Sequence, residues 1–332
     1  MTMRSGSQST SANSPHLGEF ANLALVATSL KVLYLPTPKA ACTTIKTMLA
    51  TAAGTHRPDM ADRLAIMHVS RAQTIHHPAV HGLTRFADLP EREQREILSS
   101  PEWIRIASVR DPVSRAYSAW ENRLFMRAHR RTTRVIEIAH DVMTTPDSNG
   151  AARIDIAASF AHFARMLGEH ADTFMVDHHF WPQSRVVRAD AVDYQMIARV
   201  DQPGQIDAVA ALLRERSGRD VVAARLNEGL GVRVERVCDQ HTANRLMATY
   251  VSDYAAFGFS RREWPATVAP LVLSDTESRL LSAYRNAFER GVSVAQESQR
   301  RRGARYGVGQ MRRALTELLR GNRTTSAKDI QP

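Results

Sequence analysis

The stretch Lys31–Leu49, KVLYLPTPKAACTTIKTML, constrains the chain more than any other. Lys31 to Leu35 is a short apolar run rich in β-formers, as a buried strand requires. Pro36 and Pro38 end it, because proline cannot donate to a sheet ladder. Thr43 and Thr44 then open a run, Ile45, Met48 and Leu49, with helical spacing and a hydroxyl suited to an N-cap. Strand, tight basic turn and helix start gather backbone N–H groups and a positive dipole end around one small volume. Such a volume suits a phosphate or sulfate. Lys39 adds a full charge, and Thr43 and Thr44 add hydroxyl donors. An ordinary βα connection with a surface lysine has the same local pattern, so a second stretch has to decide. The turn is not a nucleoside-triphosphate loop of the usual kind: the glycines and the Gly-Lys-Ser/Thr ending are absent, and Ala40, Ala41 and Cys42 fill it.

The second stretch is Ala107–Asn122, ASVRDPVSRAYSAWEN. Trp103 to Val109 alternates as a strand, Arg110-Asp111-Pro112 is a turn, and a helix is expected from Val113 to about Ala128. Arg110 leaves the strand end, and Ser118 follows about two helical turns later, so a guanidinium and a hydroxyl can reach one anion. Arg115 serves the same anion or braces the turn, and Asp111 caps the helix or orients a basic side chain. Strand–turn–helix thus occurs twice, which predicts an α/β fold: a P-loop-like central parallel sheet flanked by helices. Ligands in such sheets sit at the carboxyl ends of the strands, where both turns fall.

The net charge of +10, from 44 Lys and Arg against 34 Asp and Glu, favours anionic partners. The two cysteines, Cys42 and Cys238, lack metal-ligand spacing and predict no disulfide framework. No apolar run approaches the roughly 20 residues that span a bilayer. Residues 1–17 read as a disordered leader, 18–295 as one domain and 296–332 as a basic tail.

Elsewhere the pattern predicts a polar break at Gly54–Asp62 and a loop with short helical pieces around His56, His68, His76, His77 and His81. A helix is expected to begin at Leu89-Pro90-Glu91, with Pro90 in its first turn, and to run to about Leu98; an amphipathic one is expected over Ile154–Leu167. Thr173–Val176 reads as a third strand and Tyr194–Val200 as another. Helices follow at Gln205–Arg214 and His241–Tyr254, and Ser274-Asp275-Thr276-Glu277 is a capping box for a helix through Glu289.

Four motifs together resemble the PAPS-dependent carbohydrate sulfotransferases, the family of the HNK-1 and chondroitin/dermatan sulfotransferases. Pro38-Lys39-Ala40-Ala41-Cys42-Thr43-Thr44 resembles that family's 5′-phosphosulfate loop. Arg110-Asp111-Pro112 with Arg115 and Ser118 resembles its 3′-phosphate motif, about seventy residues later. His179-Phe180-Trp181-Pro182-Gln183 is similar to a His-Trp-x-Pro-Gln element, and Tyr250-Val251-Ser252-Asp253-Tyr254-Ala255-Ala256-Phe257-Gly258-Phe259 to a closing Tyr-x-x-Asp-Tyr-x-x-Phe-Gly-Tyr.

The resemblance implies 3′-phosphoadenosine-5′-phosphosulfate (PAPS) as donor, a carbohydrate or glycolipid hydroxyl as acceptor, and in-line sulfuryl transfer without a metal. Lys39 would neutralise the leaving group, Ala40 to Thr44 would hold the 5′-phosphate, and Arg110, Arg115 and Ser118 the 3′-phosphate. A histidine would act as base: His76, His77 or His81, with His76 ahead and His179 the rival. The family's eukaryotic members are Golgi-anchored; this chain carries no anchor, so a soluble, cytoplasmic, bacterial-type enzyme is expected, with the basic tail touching an anionic membrane at most. The alternative is a nucleotide-dependent kinase or phosphotransferase, which would need a magnesium carboxylate and a triphosphate loop. A nucleic-acid partner is not expected, since no recognition helix or aromatic stacking platform is legible. The oligomeric state has no sequence signal.

Overall fold

The computed structural model describes residues 18–65, 71–126, 143–146, 149–224, 229–291, 293–294 and 297. The leader, the basic tail apart from Glu297, His68 and the far end of the helix expected to reach Ala128 lie outside these residues.

A five-stranded sheet in the order β3-β1-β2-β4-β7 organises the described chain, with β1 at Leu25–Ala27, β2 at Val32–Leu35, β3 at Thr84–Arg85, β4 at Ile104–Val109 and β7 at Met196–Arg199. A separate hairpin pairs β5, Thr144–Pro146, with β6, Ala152–Ile154. The sheet expected to be parallel is mixed. β2, β4 and β7 run parallel, but β1 is antiparallel to both β2 and β3. The reason is the link between β1 and β2, a 3₁₀ turn at Thr28–Leu30 followed by Lys31 at φ 52°. A connection this short reverses the chain, whereas a parallel neighbour needs a crossover of about a dozen residues or more.

All four residues of β2 are buried, as are five of the six of β4, so the sheet is covered on both faces. On one face Ile45, Met48 and Leu49 of the Cys42–Ala53 helix pack with Val209 and Leu213 of the Gln205–Ser217 helix. On the other, Tyr117, Trp120, Phe160, Phe163, Phe174 and Phe180 form a continuous aromatic cluster, with Tyr117 and Phe160 edge to face at 5.2 Å. Each buried ring of this kind contributes about 1.5–3 kcal/mol over exposure.

Local signals explain the elements nearest the strand ends. Asp111 accepts a hydrogen bond from Ser114 N at 2.8 Å and Pro112 stands in the first turn, which starts the Pro112–Trp120 helix. Its α-helical part ends at Trp120. It passes into a π-helical turn, Glu121–Phe125. Three further expectations are corrected. Thr173–Val176 is no strand: residues Ala171–Phe174 make a single helical turn ahead of Asp177. The helix after the first turn begins at Cys42, with Ala41 as its N-cap, so Thr43 and Thr44 lie inside it. The polar break at Gly54–Asp62 closes early, because Pro58 opens a helix that runs to Ala65. The capping box forms as expected: Ser274 N donates to Glu277 Oε2 at 2.8 Å, and Glu277 N to Ser274 Oγ at 3.3 Å. Among the described residues both cysteines are unpaired, and no helix is long and apolar enough to cross a membrane.

Candidate active site

The two basic turns leave adjacent parallel strands, since Leu35 at the end of β2 is paired with Ala107 of β4. The first turn is wound tightly. Lys39 and Ala41 adopt left-handed φ values of 67° and 56°, conformations that non-glycine residues hold at a cost of about 1–3 kcal/mol each. The first helical bond runs from Ile45 N to Ala41 O, so the N–H groups of Cys42, Thr43 and Thr44 precede the ladder at the positive end of the helix.

Side chains from the second turn hold the first in this shape. Ser108 Oγ, fully buried on β4, donates to Ala40 O at 2.7 Å. Arg115 Nε donates to Pro38 O at 3.0 Å. Arg115 is completely buried, and its Nη1 has no hydrogen-bond partner, an uncommon condition for a guanidinium nitrogen. Arg110 is half-buried at the mouth of the second turn and Ser118 half-buried on the following helix. Burial lowers the Arg110 pKa, while Asp111, Asp201 and Glu121 nearby support its charge.

The two later motifs meet the second turn through buried hydrogen bonds. Gln183 Oε1 accepts from Arg110 N and Gln183 Nε2 donates to Arg110 O, each at 2.8 Å. Asp253 accepts from Ser184 N at 2.8 Å and from Gln183 Nε2 at 3.3 Å. Tyr250 Oη donates to Phe180 O at 3.0 Å. Gln183, Asp253 and Tyr250 are all fully buried. All four sequence motifs are therefore one bonded unit.

The three candidate histidines separate. His76 is exposed and reaches the first turn, with Nε2 3.2 Å from Thr43 Oγ1 and Nδ1 3.2 Å from Lys46 Nζ. His77 instead caps the short Pro78–His81 helix, its Nδ1 accepting from Ala79 N at 3.1 Å. His81 is buried, its Nδ1 accepts from Leu83 N at 2.9 Å, and burial pushes it down to about 4. Thr44 also differs from its expected use: its hydroxyl donates to Ala224 O at 3.1 Å, which leaves its backbone N–H for an anion.

Sequence reasoning missed three residues here. Ser108 looks like any strand serine. Lys46 stands one helical turn after Cys42, and burial lowers its pKa. Glu121 is buried at the start of the π-helical turn, where its Oε1 accepts from Leu230 N at 2.7 Å. Burial raises its pKa, against the bond from Leu230 and the charges of Lys39 and Arg110. Gly229 lies so close that a side chain there would meet Glu121 Oε2 at 2.0 Å. No chain-local signal marks any of the three.

Among the described residues, Asp177, His178 and His179 could offer three ligand atoms within 4.8 Å of one another. Both Asp177 oxygens are already engaged, one by His179 and one by Arg123, whose positive charge opposes a cation there. The geometry as a whole sets two cationic turns side by side, joined by the Arg115 bond to Pro38 O. A model of the sulfotransferase family matches residues 22–260. Neither the curated proteins nor the solved structures include a match to this chain.

Proposed function

This chain belongs to the sulfotransferase family, and from that premise we propose that it moves a sulfuryl group from PAPS to a hydroxyl of a carbohydrate or glycolipid acceptor. Family members generally use PAPS as sulfate donor. The observation that carries the reading is the contact between the turns: Arg115, on the helix after the second, bonds the Pro38 carbonyl in the first at 3.0 Å. Two anion seats this close suit a nucleotide phosphorylated at both the 5′ and the 3′ position.

In this reading Lys39 and the N–H groups from Ala40 to Thr44 hold the 5′-phosphate, with the Thr43 hydroxyl beside them. Arg110 and Ser118 hold the 3′-phosphate. Arg115 sets the spacing between the two seats and places its buried charge beneath them. Sulfuryl transfer resembles phosphoryl transfer in being in-line and loose, so charge grows on the phosphate oxygen that leaves. Lys39, Lys46 and the helix end oppose that charge from fixed positions, which is the main way such a site lowers the barrier. A histidine of the site takes the acceptor proton.

The test is incubation with labelled PAPS and a panel of glycans and glycolipids, followed by mass spectrometry of the sulfated product. Label transfer to a sugar hydroxyl is the expected result. Labelled phosphate moving from ATP, with none from PAPS, would instead assign a phosphotransferase.

A further inference from the structure

The segment that ends in Gln183 begins with a fixed carboxylate. Asp177 Oδ1 accepts from the backbone N of His179 at 2.9 Å and from its Nδ1 at 2.6 Å. Asp177 Oδ2 accepts from Arg123 Nε at 3.1 Å and Nη2 at 2.8 Å, and Arg123 belongs to the π-helical turn. Held from two elements, and with its side chain only 6% exposed, the carboxylate cannot rotate away. An acceptor-only oxygen facing Nδ1 fixes the tautomer by hydrogen-bond logic: Nδ1 carries the proton and Nε2 the lone pair.

His179 is also tied to the first turn. Its carbonyl accepts from Arg115 Nη2 at 3.3 Å, and Nε of that guanidinium bonds Pro38 O. Its side chain is 23% exposed, so it retains an open side. The charged and titratable groups around it are Asp177, Arg123, Arg115 and His178, whose ring lies 4.4 Å away. His178 in turn feels Lys46, on the helix of the first turn. Burial holds the His179 imidazole below the ordinary histidine range, Arg123 adds to this, and the bond to Asp177 opposes it. Burial alone would raise Asp177, but His179 and Arg123 outweigh it and hold the carboxyl well below the usual range. The pair therefore rests as carboxylate and neutral imidazole.

We propose that His179 is the general base of the sulfuryl transfer and Asp177 its positioning residue, an inference that rests on the function proposed above. Nε2 takes the proton of the acceptor hydroxyl as the new oxygen–sulfur bond forms. The bond from sulfur to the 5′-phosphate oxygen breaks, and its electron pair stays on that oxygen. The products are the sulfate ester, adenosine 3′,5′-bisphosphate and an imidazolium that faces the Asp177 carboxylate. The bound donor brings several negative charges, which raise the proton affinity of His179 when a base is needed. His76 is arranged differently. The Lys46 ammonium can only donate, so Nδ1 of His76 accepts and Nε2 donates to Thr43 Oγ1.

The experiment compares the full-length wild type with His179→Ala, His179→Gln, Asp177→Asn, His76→Ala and the Asp177→Asn/His179→Ala double variant. Calorimetry measures binding of adenosine 3′,5′-bisphosphate, and release of labelled sulfate from PAPS to water measures turnover without an identified acceptor. His179→Ala and Asp177→Asn should lose about 10²–10⁴ in rate, with bisphosphate affinity within about twofold of wild type. The double variant should be no slower than His179→Ala, since the pair acts as a unit. His76→Ala should lose less in rate than His179→Ala. The acid limb of the rate profile should move to lower pH in Asp177→Asn, because the imidazolium loses its counter-charge. Histidine nitrogen NMR should report Nδ1–H for His179 in the wild type.

Full turnover in His179→Ala, an Nε2–H tautomer, or parallel loss of bisphosphate binding and rate in both His179 variants would overturn the assignment. Retained bisphosphate binding in the first two cases leaves the donor reading standing. A wild type that binds no bisphosphate removes both.

Discussion

The side-chain amide of Gln183 closes on the backbone of Arg110 from both sides, accepting from its N–H and donating to its carbonyl at 2.8 Å each. A residue 73 positions away thus fixes where the strand stops and the guanidinium departs. Gln183→Glu keeps the acceptor but loses the donor and sets a second carboxylate against buried Asp253. Leaving a buried carbonyl unpaired costs about 1–3 kcal/mol, and the like charge adds to it. The expected outcome is a lower melting temperature and weaker binding of adenosine 3′,5′-bisphosphate. Unchanged binding by calorimetry would remove the bracing role.

Glu121 gives the site a proton linkage. Its pKa is raised in the folded chain, mainly by burial, so the folded state holds this proton more tightly than the unfolded state does. Stability from this group is present below the ordinary carboxylate pKa and is lost as pH rises through the folded value. Glu121→Gln should therefore improve relative to wild type as pH rises, with a more favourable melting-temperature difference at about pH 8 than at about pH 4. Nucleotide phosphates near Lys39 and Arg110 would favour the protonated form further. Binding of the bisphosphate should take up protons in wild type and fewer in Glu121→Gln, read from calorimetry in buffers of different ionisation heat.

Ser108→Ala tests the pin beneath the first turn. The substitution leaves the Ala40 carbonyl without the Ser108 hydroxyl in a dry place, at a cost of about 1–3 kcal/mol. Chemical denaturation should register that loss, and turnover should fall further than stability alone explains, because Ala40 adjoins Lys39. Wild-type kcat in a destabilised variant would limit Ser108 to folding.

Lys39→Ala should all but stop transfer, by about 10²–10³ in rate or more, the usual worth of a fixed group opposing the developing anion. Lys39→Arg should recover part of it, being charged but differently shaped. Single-turnover kinetics on labelled PAPS separates this loss from weaker donor binding. A near-normal chemical step in Lys39→Ala would refute the assigned role.

Much of this architecture was legible in local sequence. Pro36 and Pro38 end β2, Asp111 and Pro112 start the helix after β4, and Ser274 with Glu277 starts the last described helix, each by chemistry confined to a few residues. The antiparallel edge was not, because β1 and β3 are three and two residues long and their pairing is set by the Thr28–Leu30 turn and tertiary contact. Thr173 to Val176 are β-formers by type, yet the helical turn at Ala171–Phe174 buries Phe174 in the aromatic cluster, and packing overrode propensity. Among the histidines, spacing offered no way to tell His76, beside Thr43, from His81, which satisfies Leu83 in the interior. Glu121 and Ser108 act on residues 82 and 68 positions distant, relationships that only the folded chain creates.

The most direct test of the double anion seat is calorimetric titration with adenosine 3′,5′-bisphosphate and, separately, adenosine 5′-monophosphate, on wild type and Arg110→Ala. A charge-assisted grip on the 3′-phosphate predicts at least about tenfold tighter binding of the bisphosphate by wild type, and loss of that preference in Arg110→Ala. Equal affinity of wild type for the two nucleotides would contradict the account.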